Sequence, residues 1–256
     1  MTAMERIDTK RLLPLIGPLL FFAVWWGAVA FGLVNKVLFP SPFETLAHLG
    51  QSIGNGAILV DLGATLFRTG LAFVIAAAIG VPLGIALGAA EPVYRSVEFL
   101  IDFFRSTPSS ALIPLFLLIF GITDANKIAI AAFAAVLVIL FNSAYGVMNA
   151  RKTRILAARV MGANAFQIFK DVLIWDSLSQ TFVGLRTGVS MALVIVIVAE
   201  MFIGSETGLG HRIIDAQQVL NVKDMYASIL VTGALGYLLN LAFLLIEKRF
   251  IHWSGK

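Results

Sequence analysis

Six long apolar runs, separated by short polar segments, dominate the chain. They are Leu12–Val34, Thr69–Ala90 (extendable back to Asp61), Ser106–Thr123, Ile128–Ala150, Ser179–Ile203 and Met225–Ile246. Each is close to the length a helix needs to cross a hydrocarbon core of roughly 30 Å. The runs are continuous and do not alternate, which excludes a β-barrel with its strands of about ten residues. Helices are the other way to satisfy the backbone in lipid. The pattern predicts an all-α integral membrane protein with six transmembrane helices. The third run is interrupted by Pro108 and Pro114 and should be kinked, and the fifth carries Arg186 and Glu200 near its ends.

Composition agrees with this reading. Of 256 residues, 59% are hydrophobic and 13% charged, whereas soluble domains carry about a quarter charged residues. There is no cysteine, so disulfides and thiolate metal sites are excluded. The basic residues before the first run resemble the start of a signal peptide. That run is about 23 residues and lacks a small-residue cleavage site, which predicts a retained helix.

The net charge of +4 is informative through its distribution. With the N-terminus in the cytoplasm, six spans return the C-terminus to the same side. Thirteen of the 19 Lys and Arg then fall inside, among them Arg6, Arg11, Arg95, Arg105, Arg151, Lys152, Arg154, Arg159, Lys170 and Lys248. Lys36, Lys127, Arg212 and Lys223 fall outside, while Arg68 and Arg186 lie within or at the edge of spans. The basic residues follow the loops, so nucleic acid is not an expected partner; membrane lipid is.

The polar segments carry their own signals. Ser41, Pro42 and Glu44 mark a helix start, and Phe43, Leu46, Ala47, Leu49 and Ile53 give that helix an apolar side suited to the outer interface. The loop Gly204–Asp224 begins with a glycine cluster and has room for another short helix. Residues 1–60 therefore hold the N-terminal tail, the first span and an external interfacial helix, and residues 61–256 a five-helix core. Within the core, "RKTRILAARVMGANAFQIFKDVLI" is the longest inside loop, at 151–176 between the fourth and fifth spans. A helix over Thr153–Met161 should stop at Gly162, with Asn164 and Gln167 opening a second helix through a variant capping box. Phe166, Phe169 and Leu173 then share one stripe. Two short helices at an angle make a knob that suits a groove on a cytoplasmic partner; read from these residues alone, an interfacial connector fits equally.

This loop resembles the EAA loop of binding-protein-dependent ABC-transporter permeases, whose pattern is Glu-Ala-Ala, three residues, Gly, nine residues, then Ile-x-Leu-Pro. Ala157, Ala158 and Gly162 match, and Val172 and Ile174 fill the aliphatic positions. Leu156 stands in place of the glutamate and Trp175 in place of the proline. Three further stretches are similar to the sulfonate, taurine, nitrate and bicarbonate branch: "LFPSPFETL", "FFRSTPSSALIPLFLLIFGI" and "VAEMFIGSETGLGHRIIDA". The resemblance implies a coupling helix that docks on an ATPase, with Leu156, Ala157, Ala158, Arg159, Gly162, Ala163, Phe166 and Phe169 as its contact residues. It also implies two ATP-binding cassette subunits, a second permease copy or paralogue, and an external solute-binding protein, in a bacterial cytoplasmic membrane with both termini inside. This chain would then bind no cofactor; ATP and Mg would sit in the partner, because no phosphate-binding glycine loop is present.

Individual residues add candidates for a translocation pathway: Arg68, Pro108, Ser109, Pro114, Asn142, Ser190 and Glu200. Each has a plainer role as well. Arg68 inside a span needs a partner or a wet cavity, and Glu200 is placed to pair with Arg212 or Arg68. Asn142, Ser143, Tyr145 and Ser190 have the chemistry of interhelical hydrogen bonds. Gly80, Gly84 and Gly88 line one helix face for close approach. The rival class is a stand-alone secondary transporter or channel, which needs ionisable groups near the midplane. A membrane enzyme is disfavoured by the absence of catalytic motifs.

Overall fold

The computed structural model describes residues 9–250, with side chains from Ile16 onward. The expected N-terminal tail over residues 1–8, and the end of the chain from residue 251, lie outside the described residues. Every described regular element is helical. In order these are α1 (Thr9–Ala30), α2 (Pro42–Gly54), α3 (Ala57–Ala89), α4 (Glu91–Ser106), a 3-10 turn (Ser109–Leu112) running into α5 (Ile113–Phe120), α6 (Asp124–Met148), α7 (Lys152–Val160), α8 (Ala165–Ile168), α9 (Ile174–Phe202), α10 (Leu209–Gln218) and α11 (Val222–Phe250). A π-turn over Phe169–Leu173 joins α8 to α9, so that one helical rod runs from Ala165 to Phe202.

Among the described residues, α3, α6, the Ala165–Phe202 rod and α11 are long and apolar enough to cross a membrane. A fifth crossing is present if α4 and the Ser109–Phe120 segment count as one broken span. That broken pair corrects the expected third span. The chain bends by 89° between the two pieces. Thr107 and Pro108 are extended, and Pro114 lies in the first turn of α5, where a missing N–H costs nothing. The proline therefore starts a helix instead of kinking one. The neighbouring boundaries also shift. The second long helix begins at Ala57, and Arg186 lies inside α9, 3.8 Å from Glu247, away from the helix end.

The core is built around α6, which is held between α3 and α9. Ala131, Ala135 and Ile139 of α6 are fully buried with Ala72 and Ala76 of α3 and Ala192 and Val196 of α9. Two sets of glycines allow this approach. On α3, a methyl at Gly84 would lie 2.5 Å from Leu140 O, and one at Gly88 2.6 Å from Ala144 O. On α9, methyls at Gly184 and Gly188 would meet Asn142 Cβ and Ile139 Cγ1, each at 2.7 Å. Small residues at helix interfaces let backbones pack closely where lipid removes any hydrophobic incentive to associate. The outward faces of the helices are apolar, including Phe67, Val74, Leu118, Tyr237 and Leu238, as lipid or protein surroundings require.

Candidate functional site

Two polar structures lie at opposite ends of the bundle. The first is the hairpin between α6 and the long rod. Gly162 takes φ +84°, which lets its N–H reach Arg159 O at 2.9 Å and the Ala163 N–H reach Ala158 O at 3.0 Å, closing α7 with a Schellman motif. Asn164 then caps α8. Its Oδ1 accepts the Gln167 N–H at 2.9 Å, and Gln167 Oε1 accepts the Asn164 N–H at 2.8 Å. The turn thus satisfies its own backbone groups and requires no neighbour to hold its shape.

What the turn presents is apolar. Val160 and Met161 are 89% and 86% exposed, and Leu156 and Phe166 are also exposed. Ala157, Arg159 and Gly162 are exposed as well, and Ala158 and Ala163 half-buried, so the predicted loop residues lie together on one hairpin. The expected stripe of Phe166, Phe169 and Leu173 divides, however. Phe169 and Leu173 are half-buried and Ile168 is buried, because the second helix does not stand apart but continues through the π-turn into α9. The base of the hairpin is clamped. Asp176, at the start of α9, accepts the Arg151 N–H at 3.0 Å through Oδ2 and pairs through Oδ1 with the guanidinium of Arg154. Its side chain is 7% exposed. Sequence reading missed Val160, Met161, Arg154 and Asp176. The only available signal was a lone aspartate five residues beyond Asp171 in a basic loop.

The second structure is a polar latch at the far end. Asp61, Thr65 and Arg68 lie along one face of α3, at intervals of four and three. Arg68 is buried, and every nitrogen of its guanidinium has a partner. Nε and Nη2 reach Asp124 Oδ1 at 3.0 and 2.9 Å, Nη1 reaches Glu200 Oε1 and Thr207 O, both at 2.7 Å, and Nη2 reaches Thr207 Oγ1 at 3.3 Å. Glu200 is 1% exposed and also accepts from Thr65 Oγ1 and from the Gly210 N–H.

The same groups cap α10 from other helices. The N–H of Gly208 donates to Asp61, that of Leu209 to Thr65 Oγ1 and that of Gly210 to Glu200. Gly208 needs its φ of +128°, and a Cβ there would lie 2.4 Å from Glu200 Cδ. The Gly-Leu-Gly sequence therefore lets backbone donors reach the buried carboxylate while Leu209 is fully buried. Beside it, Arg212 pairs with Asp61 at 3.1 Å and Asp224 at 2.8 Å, and His48 of α2 reaches Asp224 at 3.0 Å. Burial works against the Arg212 charge, yet hydrogen bonds and attraction from Asp224 and Asp61 raise its pKa above the ordinary value.

Among the pathway candidates, Arg68 and Glu200 meet each other in this latch. Asn142 donates to Val138 O and accepts from Gln180, joining α6 to α9, and Ser190 donates to Arg186 O. Pro108 and Pro114 are exposed and Ser109 half-exposed on the bent segment.

A bundle of long apolar helices with a self-supporting hairpin at one end is an architecture that a membrane permease can have. The chain belongs to the family of binding-protein-dependent transport system inner membrane components, whose model matches residues 80–252. It is 28% identical over 238 residues to the taurine transport system permease protein TauC of Escherichia coli, covering 91% of this chain and 86% of that one. It is 27% identical over 221 residues to the nitrate import permease protein NrtB of Synechocystis, covering 83% and 80%. Its fold is similar to that in the inward-facing MetNI methionine ABC transporter, with a TM-score of 0.65 at 22% identity, covering 74% of this chain and 94% of that one. Permeases of this family are not themselves enzymes.

Proposed function

We propose that the chain is the membrane permease of an ATP-driven importer for a small polar solute, of the kind its relatives' names indicate: a sulfonate, an amino-sulfonate or an inorganic oxyanion such as nitrate. It crosses the membrane six times, with α1 as the first span and the broken α4–α5 segment as the third. The hairpin at 151–176 faces the cytoplasm, in line with its Arg151, Lys152, Arg154, Arg159 and Lys170. Two permease chains form the pathway, two ATP-binding cassette subunits grip the hairpins, and a solute-binding protein delivers cargo to the latch end.

The observation that carries this reading is the hairpin tip. Val160, Met161, Leu156 and Phe166 form an exposed apolar patch on a turn already satisfied in its hydrogen bonds, flanked by basic residues. Such a patch on a rigid support is a docking surface. Because Asp176 fastens the hairpin to α9, and α9 packs against α6, a push on the tip is passed to the bundle as a body movement. ATP-driven closure of the partner dimer then biases the bundle between inward-open and outward-open states.

A stand-alone ion-coupled transporter needs ionisable groups near the bilayer midplane, whereas the Arg68–Glu200 pair lies at one end of the bundle. Co-purification tests the proposal. The chain, co-expressed with a cognate ATPase and binding protein, should bring down the ATPase in a stable complex. Solute uptake by the chain alone in liposomes would exclude the importer.

A further inference from the structure

Beside the latch lies a cavity of ≈ 560 Å³, bounded by the start of α6 and the 204–207 loop. This is within the size range of small-molecule sites. Lys127 lines it. The Lys127 side chain is 4% exposed, and its ammonium makes one bond, to Asp124 Oδ1 at 3.2 Å. An ammonium has three N–H donors, so two meet no acceptor among the described residues. A buried charge left short of partners is costly, and Arg68, which shares Asp124 Oδ1 with Lys127 and has a partner at every guanidinium nitrogen, shows how the same region satisfies a structural cation. Asp124 is asymmetric too. Its Oδ1 takes Arg68 and Lys127, while Oδ2 takes no bond among the described residues and the side chain is 53% exposed.

We propose that Lys127 and Asp124 form a binding site for a small zwitterion, one that carries an acid group and an ammonium a few bonds apart. Oxygens of the acid group accept the two open N–H of Lys127, and the ammonium reaches Asp124 Oδ2. The charges select for this class. Arg68 is balanced by Glu200 and Lys127 by Asp124, which leaves the exposed Glu206 at the rim as the one uncompensated charge. A bare anion would meet that excess carboxylate and a bare cation would meet Lys127, whereas a zwitterion satisfies both groups at no net charge. The hydroxyls of Thr123, Ser205 and Thr207 also line the cavity. The site rests on the proposed function in one respect: the latch end must face the supply of solute.

The test is equilibrium dialysis of the purified permease–ATPase complex, without binding protein, against labelled taurine and against ethanesulfonate, which has the same acid group and no ammonium. Taurine should bind saturably, one per permease chain, and ethanesulfonate at least roughly tenfold more weakly. Lys127→Met should weaken taurine by roughly tenfold or more, with Lys127→Arg within about threefold of the parent. Glu206→Gln, a change at an exposed position, should narrow the gap between the two probes. No saturable taurine binding to the parent complex, equal binding of both probes, or undiminished binding to Lys127→Met each overturns the site; the first two need no variant to fold. Taurine binding to a chain that purifies without any ATPase would keep the site and remove the importer reading.

Discussion

The guanidinium of Arg68 and the carboxylate of Glu200 meet at 2.7 Å inside the protein, 132 positions apart in sequence. The pair joins α3 to the last turns of α9, and the backbone of Thr207 and Gly210 closes around it. Removing Arg68 strands Glu200 in a place with almost no water, and removing Glu200 leaves Arg68 with Asp124 as its counter-charge. Arg68→Met or Glu200→Leu alone should each destabilise the bundle by about 3–5 kcal/mol, and the double variant by less than the sum. Thermal unfolding of the purified protein in detergent measures this. Additive losses would show that the two charges do not depend on each other.

Close helix packing gives a second expectation. Gly84→Ala places a methyl 2.5 Å from Leu140 O, a backbone atom that cannot swing aside. It should cost roughly 1–3 kcal/mol or more and lower the yield of folded protein. Gly63→Ala, on the same helix with open space around it, should be neutral or slightly stabilising. The two variants compared by detergent size-exclusion and melting temperature separate packing from helix propensity.

Asp176 should matter for coupling more than for folding. Asp176→Ala frees the Arg151 N–H and the Arg154 guanidinium, at a local cost of about 1 kcal/mol typical of a lost helix cap. The expected phenotype is a permease that inserts and binds the ATPase but loses most solute-stimulated hydrolysis, because the hairpin is no longer fixed to α9. Full stimulation in this variant would show that the clamp transmits nothing.

Phe166 and Phe169 should separate binding from folding. Phe166 is 70% exposed at the tip, so Phe166→Asp is expected to release the ATPase with permease yield unchanged. Phe169 is half-buried where α8 runs into the π-turn, so Phe169→Asp should reduce yield as well. Affinity pull-down with parallel yield measurement reads both effects.

Much of the fold was written locally. Continuous apolar runs located α3, α6, the long rod and α11, and the Ser41, Gly162 and Asn164–Gln167 signals fixed helix ends that the structure reproduces. The glycine spacing at 80, 84 and 88 marked a close-packed face of α3, and the helix it meets is α6. The third span misled because hydropathy cannot register the extended backbone at Thr107–Pro108, which turns the chain by 89°. The latch was half legible. Arg68 in an apolar run demanded a partner, and Glu200 was one of the few acids within reach. The links of His48 to Asp224 and Asp61 to Arg212 span 176 and 151 positions and leave no local trace. The exposure of Val160 and Met161 depends on a backbone turn whose direction no periodicity specifies.

The central claim is that the hairpin tip is held by an ATPase on the cytoplasmic side. The chain has no cysteine, so Met161→Cys introduces a single thiol at the exposed hairpin tip. In intact cells that thiol should resist a membrane-impermeant maleimide, and in the assembled complex a short bifunctional reagent should link it to the ATPase subunit. Labelling from outside the cell, or a thiol that stays freely reactive within the purified complex, would contradict the account.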